Sequence, residues 1–520
     1  MGAPGRCGRA GRRLDRRAAD AGLEEVHLTH HRIAIVGSGF SGIGMAVRLM
    51  RDGEHDFVLL ERASELGGTW RDNTYPGCRC DVPSHLYSFS FAPNPRWSST
   101  FSAQAEILDY LRDVAERFGA LEHVRFDCRL DGARWDEEGS RWSLDTSQGP
   151  MTAEVLVSGQ GALSEPKLPD IPGLESFEGK LFHSARWDHG HDLGGERVAV
   201  IGTGASAIQF VPRIQPQVER LHVYQRTPPW VVPHPNRPIK DFERALYGRL
   251  PIAQRAMRAA IYWARETLVV QFRNRGMRRL ATKLALRQLE QQVPDPELRK
   301  RLTPSYEIGC KRILPTDEWY PALMKPNVEV ITDAIREIRG RSVVTADGGE
   351  REVDTIILGT GFHVTDIPIA GAIRGREGAT LAELWDGSPS AYKGTAVAGF
   401  PNLFFLVGPN TALGHSSIVF MIEAQVEYVA GALRAMRRRG VRRVEVRERA
   451  QSVYNRELER LTQGTVWVTG GCASYYIDRN GRNAALWPYF TWPFRQRTRE
   501  FDEDAYALGV SAPMRAPATA

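Results

Sequence analysis

The amino-acid sequence predicts an α/β protein with two Rossmann-like dinucleotide-binding domains and a helical insertion. Three observations carry this. Gly37-Ser38-Gly39-Phe40-Ser41-Gly42 directly follows the apolar run Ile33–Val36 and opens a stretch of helical spacing. Gly202-Thr203-Gly204-Ala205-Ser206-Ala207 repeats the pattern after Val198–Ile201, with Ala207 at the third glycine position. A basic, mostly helical stretch at about 236–302 then interrupts the second unit.

Composition sets the frame. A chain of 520 residues suggests three or four structural units. Its 42% apolar and 25% charged residues are globular usage. The net charge of +6 comes largely from Arg6, Arg9, Arg12, Arg13, Arg16 and Arg17. The body is therefore near neutral, and nucleic acid is not implied as a partner. The six cysteines are scattered without a CxxC pair, so neither a metal site nor a redox-active disulfide is expected, and the chain reads as reduced and cytoplasmic. No run of 18 apolar residues occurs, so no membrane span is expected. The Arg-rich start lacks the apolar stretch of a secretory signal; residues 1–31 and 511–520 are expected to be disordered.

Along the chain, Ile33–Val36 reads as a buried strand entering a tight turn at Gly37, and Ile43, Met45, Ala46, Leu49 and Met50 follow helical spacing. Gly37 permits the turn, Gly39 lets backbone approach a pyrophosphate, and Gly42 lets helix and strand pack closely. The helix N-terminus, at Phe40, offers unpaired N–H groups to phosphate. The next strand, Phe57–Leu60, ends in Glu61, about twenty residues on, the acid that would hold a ribose 2′-hydroxyl. A long loop with Trp70, Pro76 and Pro83 follows, then a helix at 103–118 and strand patterns at Val124–Leu130, Trp142–Thr146 and Val155–Ser158. Pro166, Pro169 and Pro172 break the chain as an interdomain connection would.

The second unit differs where its second strand, Leu221–Tyr224, ends: Gln225-Arg226-Thr227 replaces the acid. A carboxylate would repel a 2′-phosphate, whereas Arg226 pairs with one. The two turns thus read as FAD followed by NADPH, and the chemistry as hydride transfer to flavin. Among onward acceptors, the lack of a cysteine pair near the first turn removes a disulfide and leaves quinone or oxygen. In the insertion Leu268, Val269, Val270 and Phe272 form the most apolar part, read as belonging to a solvated helical cap rather than a membrane surface. Strands are expected again at Val328–Ile331, Thr355–Leu358 and Phe404–Val407, and a long helix at Ile418–Ala435.

Between the turns, Phe177-Glu178-Gly179-Lys180-Leu181-Phe182-His183-Ser184-Ala185-Arg186-Trp187-Asp188 matches FxGxxxHxxxW followed by Asp. On residue chemistry alone His183 and Trp187 read equally well as a core pair. The segment and its position resemble the signature of type I Baeyer–Villiger monooxygenases, a class B flavin-dependent family. The resemblance extends over about 35–500. Gly67-Gly68-Thr69-Trp70 with Tyr75-Pro76-Gly77 and Asp81 is similar to the family's flavin loop, which implies FAD contacts for Thr69, Trp70, Asp81 and Tyr87. Gly309-Cys310-Lys311-Arg312 is similar to its Gly-x-Lys-Arg segment, implying that Lys311 helps hold NADPH and Arg312 lies over the flavin. Gly359-Thr360-Gly361-Phe362 departs from the family turn at Gly359, and Gly408-Pro409-Asn410-Thr411 through His415-Ser416 resembles its late loop. Ser474-Tyr475 stands where Ser-Trp is usual.

The resemblance implies an FAD- and NADPH-dependent insertion of oxygen beside a ketone carbonyl, giving an ester or lactone. A flavin C4a-peroxide would be kept anionic by Arg312, with Asp81 orienting the guanidinium. His183, grouped with these two, is assigned to the interdomain connection rather than to proton transfer. Gly202, Thr203, Gly204, Ala205, Ser206, Arg226 and Thr227 would hold NADPH. The alternatives are oxygenation of a sulfide or amine on the same scaffold, and an NADPH oxidase or redox-sensing flavoprotein. The partners are then a ketone or sulfide and O2, with monomer or dimer left open. The expected organisation is an FAD-binding domain in two parts (32–165 and 346–510), a linker (166–195) and an NADPH-binding domain (196–345).

Overall fold

The computed structural model describes residues 1–2 and 28–509, so the expected N-terminal extension, up to residue 27, and the tail lie outside the described residues, save Met1 and Gly2. The first strand, Thr29–Val36, begins three residues before the expected domain start at Arg32.

That strand is central to an eight-stranded sheet because it is apolar on both faces and buried from Ile33 onward. Phe57–Leu60 and then Val124–Arg125 lie parallel on one side of it, and Met151–Ser158 lies parallel on the other. Arg141–Thr146 and Leu130–Asp136 continue the sheet antiparallel, and Ile373–Arg374 forms its far edge. The C-terminal part of the chain returns to this unit. Leu403–Phe405 pairs with Met151–Ser158, and the helix Ile418–Arg439 packs on the helix Phe40–Arg51. Arg434 donates to Asp52 at 2.8 Å across that helix pair. Arg443–Val446 and Tyr506–Gly509 form an antiparallel pair beside it.

The second sheet is five-stranded and all parallel, in the order 328–331, 220–224, 197–201, 355–358, 180–183. This corrects two expected boundaries. Lys180–His183 is an edge strand of the second sheet rather than linker, and Thr355–Leu358 belongs to the second sheet rather than to the returning part of the first unit. Parallel pairing joins segments far apart in sequence, and a four-residue apolar run carries no mark of the sheet it will enter.

The insertion consists of the helices Asp241–Arg249, Pro251–Thr267, Arg275–Gln292 and Pro296–Leu302. Its most apolar part, Leu268–Phe272, turns inward. Val269 and Phe272 are buried with Trp230, Ile308, Cys310 and Trp467 in one cluster, under the segment that carries Arg312. No helix of the described residues is long and apolar enough to cross a membrane.

The cysteine expectation is also overturned. Cys310 and Cys472, 162 residues apart, form a disulfide, while Cys78, Cys80 and Cys128 are free and buried. Spacing along the chain gave no sign of the pair because the fold, not the local sequence, brings the two segments together.

Candidate functional site

At the first turn, an added Cβ at Gly42 would lie 1.9 Å from the Gly37 carbonyl oxygen, so only glycine lets the helix start this close to the strand. The Phe40 side chain packs edge-on to Tyr87, with ring centroids 5.1 Å apart, and close to Phe89. It is therefore part of the core, and only its backbone faces the turn. Gly39 lies against Gly67 and Gly68, so three glycines line one cradle. Glu61 is buried at its rim and accepts from Ser38 N (3.0 Å), Ser38 Oγ (2.6 Å) and Ala63 N (3.0 Å), with Arg71 Nη1 at 2.7 Å. Burial works to raise the Glu61 pKa, but Ser38, Arg71 and the backbone amides hold it below its ordinary value. An acid held ionised at the end of the second strand, beside a backbone cradle, fits the ribose and pyrophosphate of a dinucleotide.

The loop after this turn carries the next group. Thr69 opens the short helix Thr69–Asp72, and Trp70 Nε1 donates to Tyr87 Oη at 3.2 Å. Burial pushes the Tyr87 phenol up. Arg312 then meets Asp81 in a two-pronged pair: Nε donates to Oδ2 at 2.6 Å and Nη2 to Oδ1 at 2.7 Å. Burial favours the neutral Asp81, but the Arg312 charge and hydrogen bonds, with the charge of Arg265, hold its carboxyl below the usual value. The Asp81 charge raises the Arg312 pKa against the effect of burial. Asp81 thus keeps Arg312 cationic and fixes its plane, while Nη1 makes no bond to the carboxylate.

The second turn is built like the first. Gly202 has φ +111°, and a Cβ there would lie 2.4 Å from the Gly359 carbonyl oxygen. Gly204 and Ala205 are exposed, and a Cβ on Gly204 would meet nothing within 4 Å, which leaves room for a phosphate at the start of the helix Ala207–Ile214. Ser206 precedes that helix, and Thr203 Oγ1 donates to the Thr227 carbonyl at 3.4 Å. Neither Arg226 nor Lys311 pairs with a carboxylate among the described residues. Burial, and after it the nearby Arg226 charge, lower the Lys311 pKa, so the two cations lie near enough to repel each other. This arrangement fits an anion such as a 2′-phosphate.

His183 ends the edge strand of the second sheet, beside Leu358 and edge-on to Phe362 at 5.7 Å. Its Nδ1 accepts from Ala185 N at 3.1 Å, which assigns the proton to Nε2, a buried atom without a partner. Burial lowers its pKa to about 4. No hydrogen bond or ion pair joins it to Asp81 or Arg312 among the described residues, so it lies apart from that pair. Trp187 packs on Phe182 and Phe210.

Three residues escaped sequence reasoning. Arg265 Nη2 donates to the Asp81 carbonyl at 2.8 Å while its Nε is buried without a partner; one arginine within a basic helix gives no signal. Arg71 neutralises Glu61, and its place beside Trp70 in the flavin loop was the available hint. Gln209, on the second turn's helix, accepts from Tyr75 Oη at 3.1 Å and Arg79 N at 3.2 Å, and donates to the Arg79 carbonyl at 3.2 Å, which ties the Asp81 loop to the second unit.

Comparison with known proteins agrees with this layout. A family model described as flavin-binding monooxygenase-like matches residues 30–370. The chain is 51% identical to a Baeyer–Villiger monooxygenase of Streptomyces coelicolor over 96% of both chains, and 50% identical to one of Pseudomonas aeruginosa over 92% of both. Among solved structures, cyclohexanone monooxygenase from Rhodococcus sp. Phi1 bound to NADP+ superposes with a TM-score of 0.83 at 28% identity, covering 93% of this chain and 100% of that one. An oxidized steroid monooxygenase bound to NADP gives 0.81 at 31% identity with the same coverage. With two dinucleotide turns, opposite ribose-end chemistry and these relatives, the chain belongs to the flavin-binding monooxygenase-like family and, within it, to the Baeyer–Villiger monooxygenases.

Proposed function

We propose that this enzyme uses FAD and NADPH to insert one atom of O2 beside a ketone carbonyl, giving an ester or lactone. The observation that carries the reading lies in two adjacent side chains: Arg312 is held by Asp81 of the first unit in a two-pronged pair, while Lys311 lies near enough to Arg226 of the second for its charge to be felt. One short segment thus spans the place where a reduced nicotinamide and a flavin would meet.

Glu61, the first glycine turn, Thr69, Trp70 and Tyr87 would hold FAD; Thr203–Ser206, Arg226, Thr227 and Lys311 would hold NADPH. The chemistry supplied by the bound flavin is acceptance of hydride and activation of O2. Arg312 presents a permanent positive charge toward oxygen that becomes anionic during transfer, including the oxyanion formed on the ketone carbon. Asp81 orients that charge and needs no proton exchange to do so. Trp70, which is buried, and Tyr87, which is partly buried, would limit water at the reacting atoms. His183 serves the junction of the two sheets rather than a proton step. Consumption of NADPH fits a cytoplasmic setting.

The test is product analysis with purified yellow enzyme, NADPH, 18O2 and a panel of ketones and sulfides. The expected result is a labelled ester or lactone, lost about 10²–10³-fold in Arg312→Ala while anaerobic flavin reduction by NADPH persists. Sulfoxide without ester would reassign the substrate class. Stoichiometric hydrogen peroxide without any organic product would make the protein an oxidase.

A further inference from the structure

The disulfide lies at an unexpected place. Cys310 is fully buried and stands two residues before Arg312; Cys472 is partly exposed and stands three residues before Tyr475. Beside the disulfide, Glu307 N donates to the Gly470 carbonyl at 3.0 Å, Gly470 packs directly on Cys310, and Ile308 and Cys310 share an apolar cluster with Val466, Trp467 and Tyr476. Beyond Cys472 the chain delivers Tyr476, buried, and Tyr475, half exposed, whose hydroxyl donates to Tyr476 Oη at 3.2 Å. Tyr476 is buried in one cluster with Cys310, two residues before Arg312, and both phenols bear on the Arg312 charge. Tyr476 also packs with Trp230 and Leu486, Ile477 forms a bridge with Asn483, and Arg479 and Asn480 meet Asp386.

We propose that the Cys310–Cys472 bond is a redox-operated strap that positions Tyr475 and Tyr476 against Arg312, so that opening it diverts turnover from oxygenated product to hydrogen peroxide. The proposal rests on the reading of Arg312 as the charge that serves oxygen transfer. Opening is a thiol exchange. A small dithiol attacks the Sγ of the partly exposed Cys472 as thiolate and releases the Cys310 thiolate, which takes up a proton; the second thiol of the reagent then frees Cys472. Two electrons and two protons pass to the protein, and the reagent ends as its own disulfide. Closing needs a two-electron oxidant. Hydrogen peroxide serves: one thiolate attacks an oxygen to give a sulfenic acid, the other displaces it, the S–S bond forms and two waters leave. Peroxide released by poorly coupled turnover would in this way close the strap that restores coupling.

The experiment compares the holoenzyme as purified, after dithiothreitol, and after reoxidation with hydrogen peroxide, with peptide mass mapping of Cys310 and Cys472. Reduction should lower product per NADPH about 2–10-fold with a matching rise in peroxide, and should leave anaerobic flavin reduction within twofold. Reoxidation should restore coupling, and Cys472→Ser should behave as the reduced enzyme and ignore dithiothreitol. Hydrogen exchange supplies a readout independent of activity: amides 470–478 should exchange at least tenfold faster after reduction. Unchanged coupling with both thiols free, a C472S enzyme that still responds to dithiothreitol, or unchanged exchange in 470–478 would overturn the strap. If no ketone yields product in the oxidised enzyme, the activity reading fails, and the exchange measurement alone then decides for or against the strap.

Discussion

The two dinucleotide units share a glycine turn and differ in what waits at its far end. In the first, the Glu61 carboxylate already accepts from Ser38, Ala63 and Arg71, so its charge is satisfied before any ribose arrives. In the second, Arg226 and Lys311 are neighbouring cations with no carboxylate partner among the described residues. A preformed, neutralised cradle suits a cofactor that stays bound. An uncompensated cationic pair gains most when an anion enters and loses that gain when it leaves, which suits a coenzyme that exchanges every turnover. On the proposed assignment, the difference between a prosthetic group and an exchanging reductant lies in the electrostatics of two otherwise similar turns.

The largest effect should come from Glu61→Ala. It removes the ribose acceptor and leaves Arg71 paired with Asp72 alone, so about 1–3 kcal/mol of stability should go together with the flavin absorbance of the purified protein. Retention of full yellow colour and unchanged denaturation would mean the first unit does not depend on its acid. Next, Arg226→Ala should raise KM for NADPH about 10–100-fold and leave KM for NADH nearly constant. Equal changes for both coenzymes would erase the contrast drawn between the units. Gln209→Ala probes the seam between them: loss of its bonds to Tyr75 and Arg79 should cost about 1–3 kcal/mol in chemical denaturation without changing coenzyme preference.

The smallest effect concerns acid. His183 has a folded pKa of about 4, below its ordinary value, because burial disfavours its charge. The unfolded chain therefore binds a proton as pH falls through about 6.5 while the folded state does not, so stability declines from there down to about pH 4. His183→Gln, which keeps an acceptor for Ala185 N, should recover about 1–2 kcal/mol at pH 4.5 and nothing at pH 8. A stability profile parallel to that of the parent over this range would show that His183 does not contribute to acid lability.

Much of this was legible before any coordinates. Strand, glycine turn, helix and the residue closing the next strand are local, so both units and their preference for acid or base could be read from short segments. The observed strands 57–60, 328–331 and 355–358 coincide with the apolar runs that announced them. The three-stranded sheet at 335–352 was not anticipated, because its strands carry Arg and Glu on solvent-facing positions and lack a continuous apolar run. At the site, Asp81 and Arg312, and the orienting of one by the other, were expected from motifs, whereas the roles of Arg265, Gln209 and Arg71 depend on contacts between distant segments.

By itself the sequence determined the two phosphate cradles, since glycine spacing and one side chain at a strand end act within a single βαβ unit. It also determined which residue types stand ready for flavin and nicotinamide chemistry. Only the tertiary structure decided which sheet receives strands 180–183 and 355–358, and that Cys310 meets Cys472. The reason is one of range: hydrogen bonds of a turn and the period of a strand are set by neighbours in sequence, whereas ion pairs, disulfides and parallel strand order are set by packing of segments hundreds of residues apart.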